Sequence, residues 1–359
     1  GRSVEHEVSL SSALGIIHNI DRKKYNLLPV KITKQGKWLL YDNIDTLQSL
    51  EDLKQNPCIQ VLVGDTSSAG LIPIPTKRNT GSSVSTAVIP VDVVFPLLHG
   101  SFGEDGTLQG LLKMADIPFV GCDVLASAIA LDKIIAKQLF FQNNIPSPDF
   151  IWFLRKSWKD SSETIMQGIK REIGFPCFIK PANSGSSVGV CKVHHENELL
   201  SLVNKACSYD RKILVEKYIN ARELECSVLG NDTPKASSIG EIIPSQEFYD
   251  YKAKYEDNST ELVIPADIPQ KTAQAIQSLA VQAFKTIDCA GMARVDFLLE
   301  KKSGTLYVNE INTIPGFTPI SMYPKLWEES GISYPELINR LIILARERQT
   351  ELSSLKFYR

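Results

Sequence analysis

This 359-residue chain lacks a charge imbalance: 39 Lys and Arg face 41 Asp and Glu, for a formal net charge of -2. Nothing in that balance calls for nucleic acid or an anionic membrane as a partner. A long apolar run is also missing. A membrane-spanning helix needs roughly 18 apolar residues in a row, and the best stretch, "AVIPVDVVFPLL", is broken by Asp92 and by Pro90 and Pro96. No signal-peptide pattern, internal repeat or low-complexity tract stands out. Paired cysteines are absent. The seven, at 58, 122, 177, 191, 207, 226 and 289, are odd in number and show no C-x-x-C spacing. Most have apolar neighbours, where Cys behaves as a small hydrophobe. That usage argues against a disulfide framework or a thiolate metal site, and for a reducing, cytoplasmic context. The small-residue loop "KPANSGSSVG" (180–189) fits neither G-x-x-x-x-G-K-[ST] nor G-x-G-x-x-G, so it is no standard P-loop or Rossmann turn.

What is present is an ordinary globular composition, 43% hydrophobic and 22% charged, in a chain long enough for two or three domains. "EHEVSLSSALGIIHNI" reads as a helix with acids in its first turn. "YNLLPVKIT" and "KWLLYD" read as strands, 64–86 as a Gly/Ser/Thr/Pro-rich loop, "VDVVFPLLHG" as a buried parallel strand, "TLQGLLKMAD" as a helix and "IPFVGCD" as a short strand. This alternation predicts a doubly wound α/β unit over 1–121. The chain starts at Gly1 without Met, where such a unit would have a strand just before "GRSVEHEVSL", so a first strand is expected to be missing. From 122 the texture changes. "ASAIALDKIIAKQLFFQNN" is helical, and strands follow at "IPSPDFIWF", on both sides of the 180–189 loop, and as a pair in "KILVEKYINARELECSVLG". An α+β unit is expected over 122–215 and a second over 216–359. In the second, Ile276, Leu279, Ala280, Ala283, Phe284 and Ile287 recur at helical spacing on one apolar face.

The chemistry concentrates in "RVDFLLEKKSGTLYVNEINTIPG", 294–316. Two strand-like runs flank a Lys-Lys-Ser-Gly turn, the pattern of an antiparallel hairpin. With a period of two, Arg294 and Asp296 share a face, as do Glu310 and Asn312, opposite Asn309 and Ile311. Folding would gather Asp296, Glu310 and Asn312, a hard oxygen set without Cys or His that suits Mg2+. The plainer alternative is a solvated face with an Arg–carboxylate pair.

Other pieces carry weaker signals. The 180–189 loop follows Lys180, and its small residues would let backbone N–H groups approach an anion; it could equally be a hairpin turn. Lys133 and Lys180 are possible phosphate cations, though single lysines are more often surface residues. "VEKYINARE" (215–223) could present backbone groups to an adenine and Glu223 to a ribose, or be an amphipathic strand end. "HGSFGEDG" (99–106) lies where open α/β sheets bind ligands, or simply caps a helix. "QEFYDYKAKYEDNST" (246–260), with three tyrosines and a phenylalanine, reads as a lid rather than a disordered insertion. The Gly316 N–H in "NTIPGFTPIS" could face a developing oxyanion, or belong to a plain turn.

The order of these pieces is more specific than any of them. "GRSVEHEVSL", "HGSFGEDGTLQG", "KPANSGSSVGV", "FYDYKAKY", "GMARVDF" and "NEINTIPGFT" follow one another across almost the whole chain, which thereby resembles the D-alanine–D-alanine ligases of the ATP-grasp superfamily. The resemblance implies a three-domain ATP-grasp fold, mixed α/β and α+β, with an N-terminal substrate-binding α/β domain over 1–121. A central domain over 122–215 and a C-terminal domain over 216–359 would hold ATP between them. It implies ATP-dependent joining of two D-alanines through a D-alanyl phosphate for peptidoglycan precursor synthesis, in a cytoplasmic homodimer.

The same resemblance implies residue roles. Asp296, Glu310 and Asn312 would hold two Mg2+ ions, with Mn2+ as a substitute; K+ would be a further activating ion. Lys133, Lys180 and Lys254 would contact the phosphates, with Ser187 among the ATP-binding residues. Glu216 and Glu223 would contact adenine and ribose, beside Tyr218 and Ile219. Glu5 would bind the first D-Ala ammonium and join Ser186 and Tyr255 in a set that closes the lid, with His99 near the substrates. Arg294 and the Gly316 N–H would stabilise the tetrahedral oxyanion. Ser321 and the Met322 backbone would hold the second D-Ala carboxylate. Two departures stand out: only "GRS" remains of the usual opening strand and Gly-Gly, and Pro319-Ile320 stands where many relatives carry a His before Ser321. Sister ligases that join D-Ala to D-lactate or D-serine are the nearest rivals. Tyr255 in "KAKY" disfavours the lactate type, whereas D-serine differs by one hydroxyl that pockets reject weakly.

Overall fold

The computed structural model describes residues 1–41, 58–62, 70–74, 87–243 and 261–356. The chain opens on helix α1 (His6–Asn19), which buries Val8, Ser9, Ser12 and Ile16. Five antiparallel strands follow in the order β1 (Val30–Ile32), β2 (Trp38–Leu40), β3 (Cys58–Leu62), β4 (Gly70–Ile74) and β5 (Ile89–Pro90). Strand β4 lies inside the stretch expected to be loop, where "GLIPI" supplies the branched residues that suit a pleated surface. The parallel strand expected over 91–100 is reduced to a single parallel bridge, Val94 to Phe119. Pro90 and Pro96 flank that bridge and cannot donate to a ladder. Helix α2 (Thr107–Met114) forms as expected.

The long helix expected across 126–144 is two helices, α3 (Val124–Leu131) and α4 (Lys133–Gln142). Asp132 leaves the helical region at φ -82° and ψ 92° and caps α4 by accepting from the Ile134 and Ile135 N–H groups. The break makes Lys133 the first residue of α4. The central sheet has strand order β6-β9-β7-β8: β6 (Phe150–Leu154), β7 (Cys177–Pro181), β8 (Cys191–Val193) and β9 (Lys212–Lys217). Helices α5 (Arg155–Glu172) and α6 (Leu199–Ala206) cover one face. There Trp158, Ile169, Leu199 and Val203 pack on Cys177, Ile179, Ile213 and Val215. Alternation along β7 sends Phe178 and Lys180 to the other face.

The C-terminal sheet runs β12-β11-β10-β13-β14, antiparallel throughout: β10 (Ala221–Gly230), β11 (Lys235–Ile243), β12 (Glu261–Val263), β13 (Gly291–Glu300) and β14 (Leu306–Asn312). Helix α7 (Gln270–Thr286) lays Ile276, Ala280, Ala283 and Phe284 against Leu224, Val228, Val295 and Phe297, with Ile287 buried and Leu279 at the edge. The α3 and α4 residues Ala126, Ala130, Ala136 and Phe140 share this core. Helices α8 (Met322–Glu329) and α9 (Tyr334–Ser353) follow, and Leu337, Ile338 and Leu341 of α9 pack on Ile16 of α1 and on Ile20 just after it.

Strands β13 and β14 form the expected hairpin, pairing Arg294 with Asn312 and Asp296 with Glu310. Val295, Phe297 and Ile311 are buried in the core behind it. The register shifts after Asp296, so Phe297 pairs with Val308 and Asn309 becomes the extra residue of a bulge. Asn309 therefore does not follow Ile311 into the core, as strict alternation required; it is half-buried. No described helix is long and apolar enough to cross a membrane. Cys122, Cys177, Cys191, Cys207, Cys226 and Cys289 are free and buried.

Candidate active site

A cavity of about 810 Å³ opens between the central sheet, the C-terminal sheet and the start of α1. Glu5, His99, Lys133, Lys180, Ser186, Ser187, Glu216, Tyr218, Ile219, Glu223, Arg294, Asp296, Glu310, Asn312, Gly316, Ser321 and Met322 all line it. These are every singled-out residue except Lys254 and Tyr255, which fall with the rest of 246–260 outside the described residues.

At one end, Lys133 heads α4 and donates from Nζ to the Ser184 carbonyl at 2.7 Å, with Glu310 4.0 Å away. Glu216 on β9 is buried between two ammonium groups, Lys137 at 2.7 Å and Lys180 at 2.6 Å. Burial alone would raise the Glu216 carboxyl, but the two cations outweigh it and hold it below the usual carboxylate range. Burial likewise would lower Lys180, and Glu216 raises it on balance. For Lys137 burial wins, and its ammonium is shifted down. Beside the cavity Lys192 sits 3.9 Å from the ring centroid of Tyr218.

The 184–189 loop holds two consecutive non-glycine residues in the left-handed region, Ser186 (φ 46°) and Ser187 (φ 59°). Such conformations persist where surroundings over-determine them, often at ligand sites. Here Ser184 Oγ donates to the Val188 carbonyl at 2.9 Å, and Ser186 Oγ donates to Glu5 across the cavity. Glu5 is itself 6% exposed. A Cβ on Gly185 would fall 2.6 Å from Glu5 Oε2, so a larger residue there would push the Glu5 carboxylate aside.

His99 lies beneath this end, 5% exposed. Its Nδ1 is 3.1 Å from the Ile314 carbonyl, which can only accept, so Nδ1 carries the proton. Its Nε2 then accepts from Ser12 Oγ at 2.9 Å, and Ser12 Oγ accepts the Phe317 N–H at 3.2 Å. Within "HGSFGEDG", Asp105 accepts from the Phe102 and Thr107 N–H groups as a turn-and-cap residue. Glu104 instead lines the cavity, 3.6 Å from His99 Nδ1. At the far end Ser321 Oγ accepts the Thr318 N–H at 2.9 Å, and a Cβ on Gly316 would come within 2.6 Å of that oxygen. Met322 opens α8 and packs on Ile242 and Leu326.

On the hairpin face, Arg294 grips Asp296 with two 2.7 Å hydrogen bonds from Nε and Nη2, and its Nε is 3.0 Å from Glu225. Burial would lower the guanidinium pKa, but Asp296 and Glu225 drive it well above its ordinary value. Asn312 Nδ2 donates to Asp296 Oδ2 at 3.0 Å. Lys137, Glu225 and Ser12 were not marked by the sequence pattern. Lys137 stands at i+4 from Lys133, hence on the same helix face, and Glu225 at i+2 from Glu223, hence on the same strand face. Ser12 offers no such signal.

Comparison with known families decides the wider question. The family model described as "D-ala D-ala ligase N-terminus" matches residues 1–122, and that described as "D-ala D-ala ligase C-terminus" matches 139–343. The chain belongs to the D-alanine–D-alanine ligase family. A D-alanine–D-alanine ligase of Acetivibrio thermocellus is 50% identical over 100% of this chain and 96% of its own length. One from Geobacillus kaustophilus is 45% identical over 99% of this chain and 95% of its own. Among solved structures, the D-alanine-D-alanine ligase of Coxiella burnetii superposes with a TM-score of 0.85 at 36% identity, covering 98% of this chain and 93% of that one. The VanG D-Ala:D-Ser ligase of Enterococcus faecalis superposes at 0.83 and 37% identity, covering 96% and 97%. The expected ATP-grasp fold, mixed α/β and α+β, is that of these relatives.

A ligase of this family uses ATP with Mg2+, and the hairpin offers a fitting donor set. Among the described residues no group of three or more His, Cys, Asp or Glu side chains could hold a metal. Asp296 and Glu310 are two carboxylates only, directly paired across the hairpin, with Asn312 beside Asp296. That is the pattern of Mg2+, which is held by one or two carboxylates and completes its shell with substrate phosphates and water.

Proposed function

We propose that this chain joins two D-alanines into D-alanyl-D-alanine for peptidoglycan precursors, driven by ATP. The observation that carries the reading is the single cavity lined by all the described residues the reading needs. A carboxylate is a poor electrophile, so the first D-Ala must be activated. Its carboxylate oxygen attacks the γ-phosphorus of ATP, the bond to the β-phosphate oxygen breaks, and D-alanyl phosphate and ADP result. The amine of the second D-Ala, after losing a proton, attacks the acyl carbon. The tetrahedral oxyanion collapses, and the C–O bond to phosphate breaks to release inorganic phosphate and the dipeptide.

Each residue has a part in this reading. Lys133 and Lys180, with Lys254, bind the ATP phosphates, and Ser187 joins them from the 184–189 loop. Glu216, Tyr218, Ile219 and Glu223 form the adenine and ribose side. Asp296, Glu310 and Asn312 hold two Mg2+ ions, with Mn2+ able to replace them and K+ as an activator. When bound, the metal offsets phosphate charge as it redistributes. Glu5 receives the first D-Ala ammonium, with Ser186 and Tyr255 closing over it and His99 alongside. Arg294 and the Gly316 N–H receive the oxyanion, and Ser321 with the Met322 backbone receives the second carboxylate. Excluding water protects the acyl phosphate from hydrolysis. The units 1–121, 122–215 and 216–359 act as substrate, central and C-terminal domains of a cytoplasmic homodimer, with neither nucleic acid nor membrane as partner.

A second reading has one specific observation in its favour: the D-Ala:D-Ser ligase matches the fold about as well as the D-Ala–D-Ala ligase of similar identity does. Phosphate release from MgATP should be measured with D-Ala alone, then with D-Ala plus D-serine or D-lactate, with products resolved by mass. D-alanyl-D-alanine as the dominant product is expected. A dominant D-Ala-D-Ser product would overturn the substrate assignment and leave the reaction type intact.

A further inference from the structure

The row Lys137–Glu216–Lys180 sits at the inner end of the cavity with almost no solvent. The Lys137 and Glu216 side chains are each 2% exposed and Lys180 is 15% exposed. Burying a charge is costly unless it is paired and hydrogen-bonded. Lys180 and Glu216, 2.6 Å apart, already offset each other's charge. Lys137 adds a second cation 2.7 Å from the same carboxylate and a 2.9 Å hydrogen bond to Ser147 Oγ. Ser147 in turn donates to the Val308 carbonyl at 3.0 Å, on β14 two residues before Glu310. Replacing Lys137 by an apolar side chain of similar length would fill the same space without the desolvation cost, so packing does not account for the charge.

Charge counting does. A lone Lys180–Glu216 pair is neutral, and an anion meeting it would find the ammonium already compensated. With Lys137 the three groups sum to one positive charge, and Lys180, the partly exposed member, faces the cavity. We infer that Lys137 is a positioning residue for ATP: it neutralises Glu216, so that this carboxylate can hold Lys180 in place without cancelling the positive charge Lys180 presents to a nucleotide phosphate. The inference rests on the reading of Lys180 as a phosphate ligand. Through Ser147 it also ties that cation to the strand bearing Glu310.

The test is calorimetric titration of the full chain with MgATP, together with steady-state KM values. Lys137→Met should weaken MgATP binding about tenfold, as expected for loss of one charge-assisted interaction. It should raise KM for ATP and leave KM for D-Ala near wild type. Lys137→Gln removes the charge while keeping hydrogen-bonding capacity, and the same result is expected of it if the Met variant folds poorly by circular dichroism. The deciding arm is adenosine, which carries no phosphate. Charge compensation requires Lys137→Met to bind adenosine as wild type does while losing MgATP affinity. Equal losses for adenosine and MgATP, or wild-type MgATP binding in Lys137→Met, would overturn the inference. Lys180→Met separates the two levels: if it binds MgATP normally, the phosphate role of Lys180 fails, whereas lost binding there with normal binding in Lys137→Met sinks the inference about Lys137 alone.

Discussion

Gly15 lies in the middle of α1 and faces the turn after the hairpin. A Cβ there would fall 1.9 Å from the Phe317 carbonyl oxygen and 2.9 Å from the Tyr334 hydroxyl, which itself donates to that carbonyl at 2.6 Å. Ordinary contact begins near 3.4 Å, so about 1.5 Å would have to open. Helix propensity points the other way: in an unconstrained helix interior Ala is favoured over Gly by about 1 kcal/mol. The two effects have opposite signs, which makes Gly15→Ala informative. Overpacking against backbone costs about 1–3 kcal/mol, and here the obstacle is a carbonyl with its own hydrogen bond. We expect the variant to melt several degrees below wild type, at roughly 2–4 °C per kcal/mol. Turnover should fall further, because Phe317 adjoins Gly316, whose N–H is assigned to the oxyanion, and about 1 Å of misplacement can cost on the order of 100-fold. Differential scanning calorimetry and phosphate release would be run on the same preparation. A variant that melts above wild type with unchanged turnover would refute the close approach and the importance of this turn together.

Further expectations follow from the same geometry. Arg294→Ala should fold, yet lose on the order of 100- to 1,000-fold in kcat, the usual effect of removing one oxyanion donor; wild-type turnover would rule out the role given to Arg294. Ser12→Ala removes both the donor to His99 Nε2 and the acceptor for the Phe317 N–H. It should lower kcat/KM for D-Ala several-fold with MgATP binding unchanged, and equal losses toward both substrates would contradict that placement. Burial pushes the Cys177 thiol up to about 11 and that of Cys226 up to about 12. Both should resist iodoacetamide at pH 8 until the protein unfolds, as read by mass spectrometry. Above the ordinary thiol value of 9.0 the unfolded chain releases a proton that the native Cys177 keeps until about pH 11. Stability should therefore fall as pH rises through that window, by at most about 3 kcal/mol for this residue. Flat chemical-denaturation midpoints across it would contradict the shift.

Local periodicity made the hairpin legible. A period of two put Arg294 and Asp296 on one face and buried Val295 and Phe297, and a period of about 3.6 gave the apolar face of α7. Where a backbone event interrupts the period, the reading slips by one residue or one element. Asp132 caps α4 and so divides one apparent helix into two. The bulge after Asp296 removes Asn309 from its alternate position. Prolines thin an apolar run at 91–98 to a single bridge. The amphipathic helices α5 and α9 drew no attention because neither carries motif residues. Yet α9 returns to pack on α1, a contact between chain ends that no local window contains.

The site divides along the same line. Groups presented by one strand or one loop could be named from spacing or from resemblance to the ligases. Groups that act between elements could not. Glu216 is an acid at a strand end in the sequence, yet its carboxylate lies between a lysine from α4 and a lysine from β7. His99 is a lone histidine in a turn, but its tautomer is set by Ile314 and its second nitrogen by Ser12 of α1. Arg294 is paired in the sequence only with Asp296, and the β10 register then brings Glu225 opposite Asp296 and within 3.0 Å of the same guanidinium. In each case the sequence supplies a chemical group and the tertiary neighbours set its charge state and direction. For catalysis that division matters. A cation that stays positive beside a carboxylate, and a guanidinium held by two acids, are properties of three residues at once. Substitutions at Lys137, Ser12 and Glu225 therefore test the site's electrostatics without removing any group assigned to touch substrate.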